Sequence, residues 1–146
     1  MESSTPWRDT AWAMSQENVE VVRRNTEAFS RGDFDGFMED WAPDAVVDWS
    51  NSRGPDAGVY RGHGEVRAFA QRFNEAFEEN RIELVDPVEL KDGLVLAENV
   101  AYLRGRDGIE VEARSTWLVT FRDGQQTSLT LYQTKQEALE AVGLSE

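Results

Sequence analysis

Residues 15–49, SQENVEVVRRNTEAFSRGDFDGFMEDWAPDAVVDW, decide the fold. Ser15 reads as an N-cap with acidic Glu17 in the first turn, and the helix it opens ends at Gly32. Val22, Asn25, Thr26 and Phe29 recur at helical spacing and give that helix its inward stripe. Asp33 caps a second, shorter helix with Phe34, Phe37, Met38 and Trp41 on one face, and Pro43-Asp44 stops it. The β-branched run AVVDW (45–49) then reads as a strand.

Outward from this stretch, residues 1–14 are polar and aperiodic and are expected to form a flexible segment, leaving 15–146 as one domain. A Gly-, Pro- and Ser-rich loop follows the strand, and GEVRAFAQRFNEAFEEN (64–80) predicts a third helix with Val66, Phe69, Ala70, Phe73 and Phe77 inward. Everything after it reads as β. RIELVDPVEL is broken at Asp86-Pro87, and three more strands are separated by RGRDG and RDG turns. Sequential hairpins make an antiparallel meander. Thr134 and Glu137 form a capping box for a short C-terminal helix. Helices followed by a meander is an α+β order: a curved antiparallel sheet wrapped by three N-terminal helices into a cone.

The chain carries 28 acidic against 15 basic residues, a net charge of −13. Nucleic acid and anionic membranes are excluded, since both need Lys and Arg in place of counterions. With no Cys and one His, the expectation is no metal and no cofactor. No apolar run approaches the roughly 20 residues of a membrane span, and no basic-then-apolar signal opens the chain, so the expected location is cytoplasmic.

Arg31-Gly32-Asp33-Phe34-Asp35 between two helices, then Pro43-Asp44-Ala45-Val46-Val47, resembles the nuclear transport factor 2-like superfamily, in particular its SnoaL-like branch of polyketide cyclases and ketosteroid isomerase relatives. Asp56-Ala57-Gly58-Val59-Tyr60-Arg61-Gly62-His63, Phe121-Arg122-Asp123-Gly124 and Glu137-Ala138-Leu139-Glu140-Ala141 extend the resemblance over roughly residues 15–143. It implies a cone with a pocket between helices and sheet, and a homodimer through the outer sheet face, where Leu118 alternates with Thr116 and Thr120. Fold alone does not fix function here.

The ketosteroid isomerase pattern needs a strand carboxylate as base and two strong donors for the oxyanion. By ungapped matching those positions fall on Trp49, Asn25 and Trp117, so an efficient ketosteroid isomerase is not expected. The Arg-x-Asp spacing of the limonene-epoxide-hydrolase branch is also missing from the strands. The remaining acid–base candidates are Asp48, Glu98 and His63. Asp48 adjoins the lost base position, but strand alternation sends it and Trp49 to opposite faces. An even-numbered loop after Arg104 puts Glu98 on the Trp117 face; an odd one turns it outward. His63 stands at the entry of the third helix, near the rim. Asn25, Trp49, Tyr60, Phe69, Phe73, Tyr102 and Trp117 are the candidate ligand contacts. Aromatic walls with few polar groups suit a small hydrophobic, cyclic or aromatic ligand. The expected chemistry, if there is any, is cofactor-free proton transfer of the isomerase, cyclase or dehydratase type. The alternative is a non-catalytic ligand-binding or dimerisation module.

Overall fold

The computed structural model describes residues 6–54 and 56–144. The segment expected to be loose, 1–14, lies partly outside that range, and helix α1 (Pro6–Ser30) runs through Ser15 instead of starting there. Helix α2 (Phe34–Glu39) is capped by Asp33, whose carboxylate accepts from the Gly36 N–H at 3.0 Å. Trp41, expected on α2, opens strand β1 (Trp41–Asp48). Strand β2 (Val59–Arg61) leads into α3 (Gly62–Ala76), and then come β3 (Phe77–Lys91), β4 (Leu94–Gly105), β5 (Glu110–Arg122), β6 (Gln125–Tyr132) and α4 (Lys135–Ala141).

The six strands form one open sheet in the order β2-β1-β6-β5-β4-β3. The meander β3 to β6 is antiparallel throughout, as is β1 with β2. β1 alone pairs in parallel, against β6, with Val47 opposite Leu129. Helix α3 stops at Ala76, four residues short of the predicted end at Asn80. Long-range pairing decides this: Phe77 to Arg81 join the ladder with β4, which outweighs the local helix preference of Glu78-Glu79. β3 continues through Asp86-Pro87 as a bulge, with the register shifting between Val85 and Val88. Pro87 has no N–H to give a ladder, so the pair is skipped and the strand bends.

The main core lies between the helices and the concave face of the sheet, with Val22, Phe29, Phe37, Val66, Phe69 and Trp117 among its members. A second cluster occupies the other face. There Leu94, Leu96 and Leu118 are covered by Ala138 and Leu139 of α4. This corrects the expectation that Leu118 faces a partner: α4 of the same chain buries it. The rest of that face carries ion pairs, including Arg81–Glu83, Arg114–Glu112 and Lys135–Glu98. Thr134 accepts from the Glu137 N–H at 3.1 Å, and the Glu137 carboxylate accepts from Gln133 N–H at 3.1 Å, which holds α4 in place.

Candidate functional site

The β4–β5 turn sets which side chains face the concave side. Gly105 and Ile109 close a three-residue loop, and Gly108 takes a left-handed conformation with φ of 87°. Arg104 therefore pairs with Glu110, and Ala97 pairs with Trp117. Ala97, Asn99 and Ala101 face inward together with Trp117, Ser115 and Ala113. Glu98 and Tyr102 face outward, which removes both from the cone.

Two spaces lie on the concave side. The inner chamber is about 30 Å³, enough for one water. Its walls come from Asn25 and Phe29 on α1, Phe37 on α2, Trp41 and Val47 on β1, Phe69 on α3, and Gln126 and Leu129 on β6. The outer groove is about 560 Å³, the size of a small-molecule site. Its floor is Asn99, Ala101, Ala113 and Ser115, and its walls are Phe73, Phe77, Ile82 and Leu131. Trp49 and Trp117 line both spaces and separate them, with ring centroids 6.1 Å apart. Trp49 is itself wedged edge-on against Phe69 at 5.2 Å and Phe73 at 6.3 Å.

Among the described residues, no ionisable side chain lines the chamber. Three of its lining residues carry a buried N–H nitrogen without a partner among the described residues: Trp41 Nε1, Trp117 Nε1 and Gln126 Nε2. Gln126 is 1% exposed, and its backbone N–H donates to Asp40 O at 2.8 Å. Each such donor costs about 1–3 kcal/mol. Asn25 is different, because its amide donates to Phe37 O at 2.6 Å. It ties α1 to α2 and satisfies its own N–H.

The three acid–base candidates all lie elsewhere. Asp48 is on the outer face and accepts from Ser50 N at 3.1 Å and Ser50 Oγ at 2.6 Å. Burial, and after it the Asp48 charge, pushes the Tyr132 phenol above its ordinary value. His63 Nε2 donates to Trp41 O at 2.8 Å, which fixes its tautomer and pins the start of α3 to β1. Glu98 sits 3.9 Å from Lys135 with 37% of its side chain exposed. Tyr102 stacks under the Arg81 guanidinium, 4.2 Å from its ring centre. Tyr60 stacks on Phe69 at 4.7 Å and donates to Asp56 O at 2.7 Å, which braces the loop beside the groove. Phe69 lines the chamber and Phe73 the groove.

Asn99, Ser115, Gln126 and Trp41 were missed by sequence reasoning. The signal for Asn99 was present: Ala97, Asn99 and Ala101 alternate with larger or charged residues along β4. Only the parity of the 105–109 turn was needed to place that face inward.

The chain belongs to the SnoaL-like domain family, whose model matches residues 22–129. Curated proteins give no match. Among solved structures, a candidate polyketide cyclase from Xanthomonas campestris pv. campestris is 28% identical, with TM-score 0.67, covering 88% of this chain and 98% of that one. A nuclear transport factor 2-like protein of unknown function from Burkholderia pseudomallei is 21% identical, with TM-score 0.71, covering 87% and 98%. A Mycobacterium tuberculosis protein solved with estradiol-17β-hemisuccinate is 15% identical, with TM-score 0.70, covering 82% and 95%. The last two likenesses establish the fold alone. No helix among the described residues is long and apolar enough to cross a membrane.

Proposed function

We propose that the protein binds a neutral cyclic or aromatic organic molecule in the outer groove, in a cytoplasmic setting and without a cofactor. The observation that carries this reading is the groove itself: about 560 Å³ of space walled by Trp49, Trp117, Phe73 and Phe77, with Arg53, Asp56, Glu112 and Arg114 also on its lining. Such a surface gains free energy by covering apolar rings, and its two guanidiniums and two carboxylates balance, so the lining favours no net charge on the ligand. The fold neighbour solved with estradiol-17β-hemisuccinate supports the same ligand shape. Binding is favoured over proton transfer, because Asp48, Glu98 and His63 are each engaged away from the chamber and groove.

A thermal-shift screen against cyclic ketones, lactones and polyketide-like aromatics tests this. A ligand at a hundred times its Kd stabilises by about 2.7 kcal/mol, which at this chain length raises Tm by about 5–10 °C. The shift disappears in Ala101→Phe, which fills the floor. A shift that survives that substitution places the ligand outside the groove.

A homodimer belongs to the same proposal. The ion pairs on the outer face favour a polar interface, which weakens as salt rises. Light scattering that reads one chain mass at tens of micromolar overturns it.

A further inference from the structure

On the floor of the groove, Asn99 and Ser115 form a polar pair beside Ala101 and Ala113. Asn99 on β4 stands directly across from Ser115 on β5, one step from the small pair Ala101 and Ala113. Asn99 is 3% exposed. Ser115 Oγ donates to Asn99 Oδ1 at 3.1 Å, and Asn99 Nδ2 donates to Ala97 O at 3.3 Å. The Ala97 carbonyl thereby settles the orientation of the amide, since the flipped form would set two oxygens against each other.

This leaves a defined remainder. The second Asn99 N–H has no partner among the described residues, and Ser115 Oγ, having given its proton away, keeps lone pairs that accept. One free donor and one free acceptor lie side by side at the edge of a flat strip made by Ala101 and Ala113. We propose that Asn99 and Ser115 read a hydroxyl group on a planar aromatic ligand, accepting its proton at Ser115 Oγ and donating to its oxygen from Asn99 Nδ2. The inference rests on the binding reading above and names the ligand class for it: a neutral phenol with fused rings.

Each alternative uses the pair incompletely. A carbonyl takes the amide N–H but leaves the serine without a donor. A phenolate takes the amide N–H but has no proton to offer the serine; of the two guanidiniums on the lining, Arg53 and Arg114, the latter is paired with Glu112 at 3.0 Å. A bare hydrocarbon uncouples both groups from water without replacing the lost bonds. Around the pair, Trp117, Phe73 and Phe77 supply the faces against which fused rings stack.

Equilibrium dialysis with 2-naphthol, 2-methoxynaphthalene and naphthalene is the test. The expected result is 2-naphthol bound about tenfold tighter than naphthalene, equivalent to 1.4 kcal/mol. The methyl ether, which accepts but cannot donate, falls clearly behind the naphthol. Ser115→Ala brings 2-naphthol to within about threefold of naphthalene and leaves naphthalene unchanged, while Ser115→Thr, which keeps the hydroxyl, retains the preference. If Ser115→Ala loses its native circular dichroism, the wild-type series and Ser115→Thr decide between them. Equal binding of naphthol and naphthalene by the wild-type chain overturns this inference and leaves the binding reading standing. A preference that persists in Ser115→Ala shows that the hydroxyl is read elsewhere, and also overturns it. Binding of none of the three sinks both.

Discussion

Trp117→Ala removes most of the wall between chamber and groove, and its cost follows from two features of one side chain. The indole is 5% exposed, so nearly all of it leaves water on folding. A Trp buries about 200 Å², worth about 5 kcal/mol at 25 cal/mol per Å². The methyl group that alanine keeps retains about 0.8 kcal/mol of this. Against the remaining loss of about 4 kcal/mol stands Nε1, buried without a partner among the described residues, whose removal returns about 1–3 kcal/mol. The net is about 2 kcal/mol, below the usual 3–5 kcal/mol for an aromatic truncated to alanine. Urea unfolding measures it, provided the m-value stays unchanged. Trp117→Phe keeps a ring and drops the N–H, and is expected within about 1 kcal/mol of wild type. A loss above about 5 kcal/mol for Trp117→Ala refutes the argument, because the indole N–H would then have to be satisfied.

Leu139→Ala uncovers Leu96 and Leu118 and costs about 2–4 kcal/mol by the same assay; a loss under about 1 kcal/mol means that α4 is not held by that contact. The Tyr132 phenol is held above its ordinary 10.0, first by burial and then by Asp48. Its contribution to stability is therefore complete below pH 10.0 and is lost as pH rises through the raised value. Near-ultraviolet titration of Asp48→Asn should bring that value down while leaving it above 10.0, because burial remains; no change shows that the carboxylate is too well screened to matter. A β,γ-unsaturated ketosteroid should show no turnover near that of a dedicated isomerase, since Trp49 stands where the resemblance puts the base and Trp117 where it puts a donor. Rapid growth of conjugated-enone absorbance, abolished by Asp48→Asn, contradicts the outward placement of Asp48.

The helices and hairpins were legible because their signals are local. The stripe Val66-Phe69-Ala70 marks α3, and Asp33 marks the start of α2. Three features were not local, and each was misread or left open. Phe77 to Asn80 look helical until β4 offers them ladder partners. Trp41 fits the apolar face of α2, but it opens β1, paired with Gln126. The side on which Glu98 emerges depends on one residue in a turn, and the left-handed Gly108 supplies the odd count. The candidate site was legible in its aromatic walls, Trp49, Phe69, Phe73 and Trp117. It was not legible in its polar floor, because Asn99 and Ser115 mean nothing until they face each other.

The parallel seam between β1 and β6 constrains how the chain can fold. Val47 has no β6 partner until Leu129 has been synthesised, whereas every pairing among β3 to β6 joins neighbours in sequence. Loop closure over that span must come before the seam contributes anything, so the meander is expected to form first and the N-terminal strand to dock last. Until it docks, the exposed side of β6 is an open strand edge, and Trp41 and Val47 lack the neighbours that bury them. A chain stalled before β6 is complete therefore leaves Trp41 and Val47 open to other chains. The same seam that closes the chamber makes its late assembly the step most open to aggregation.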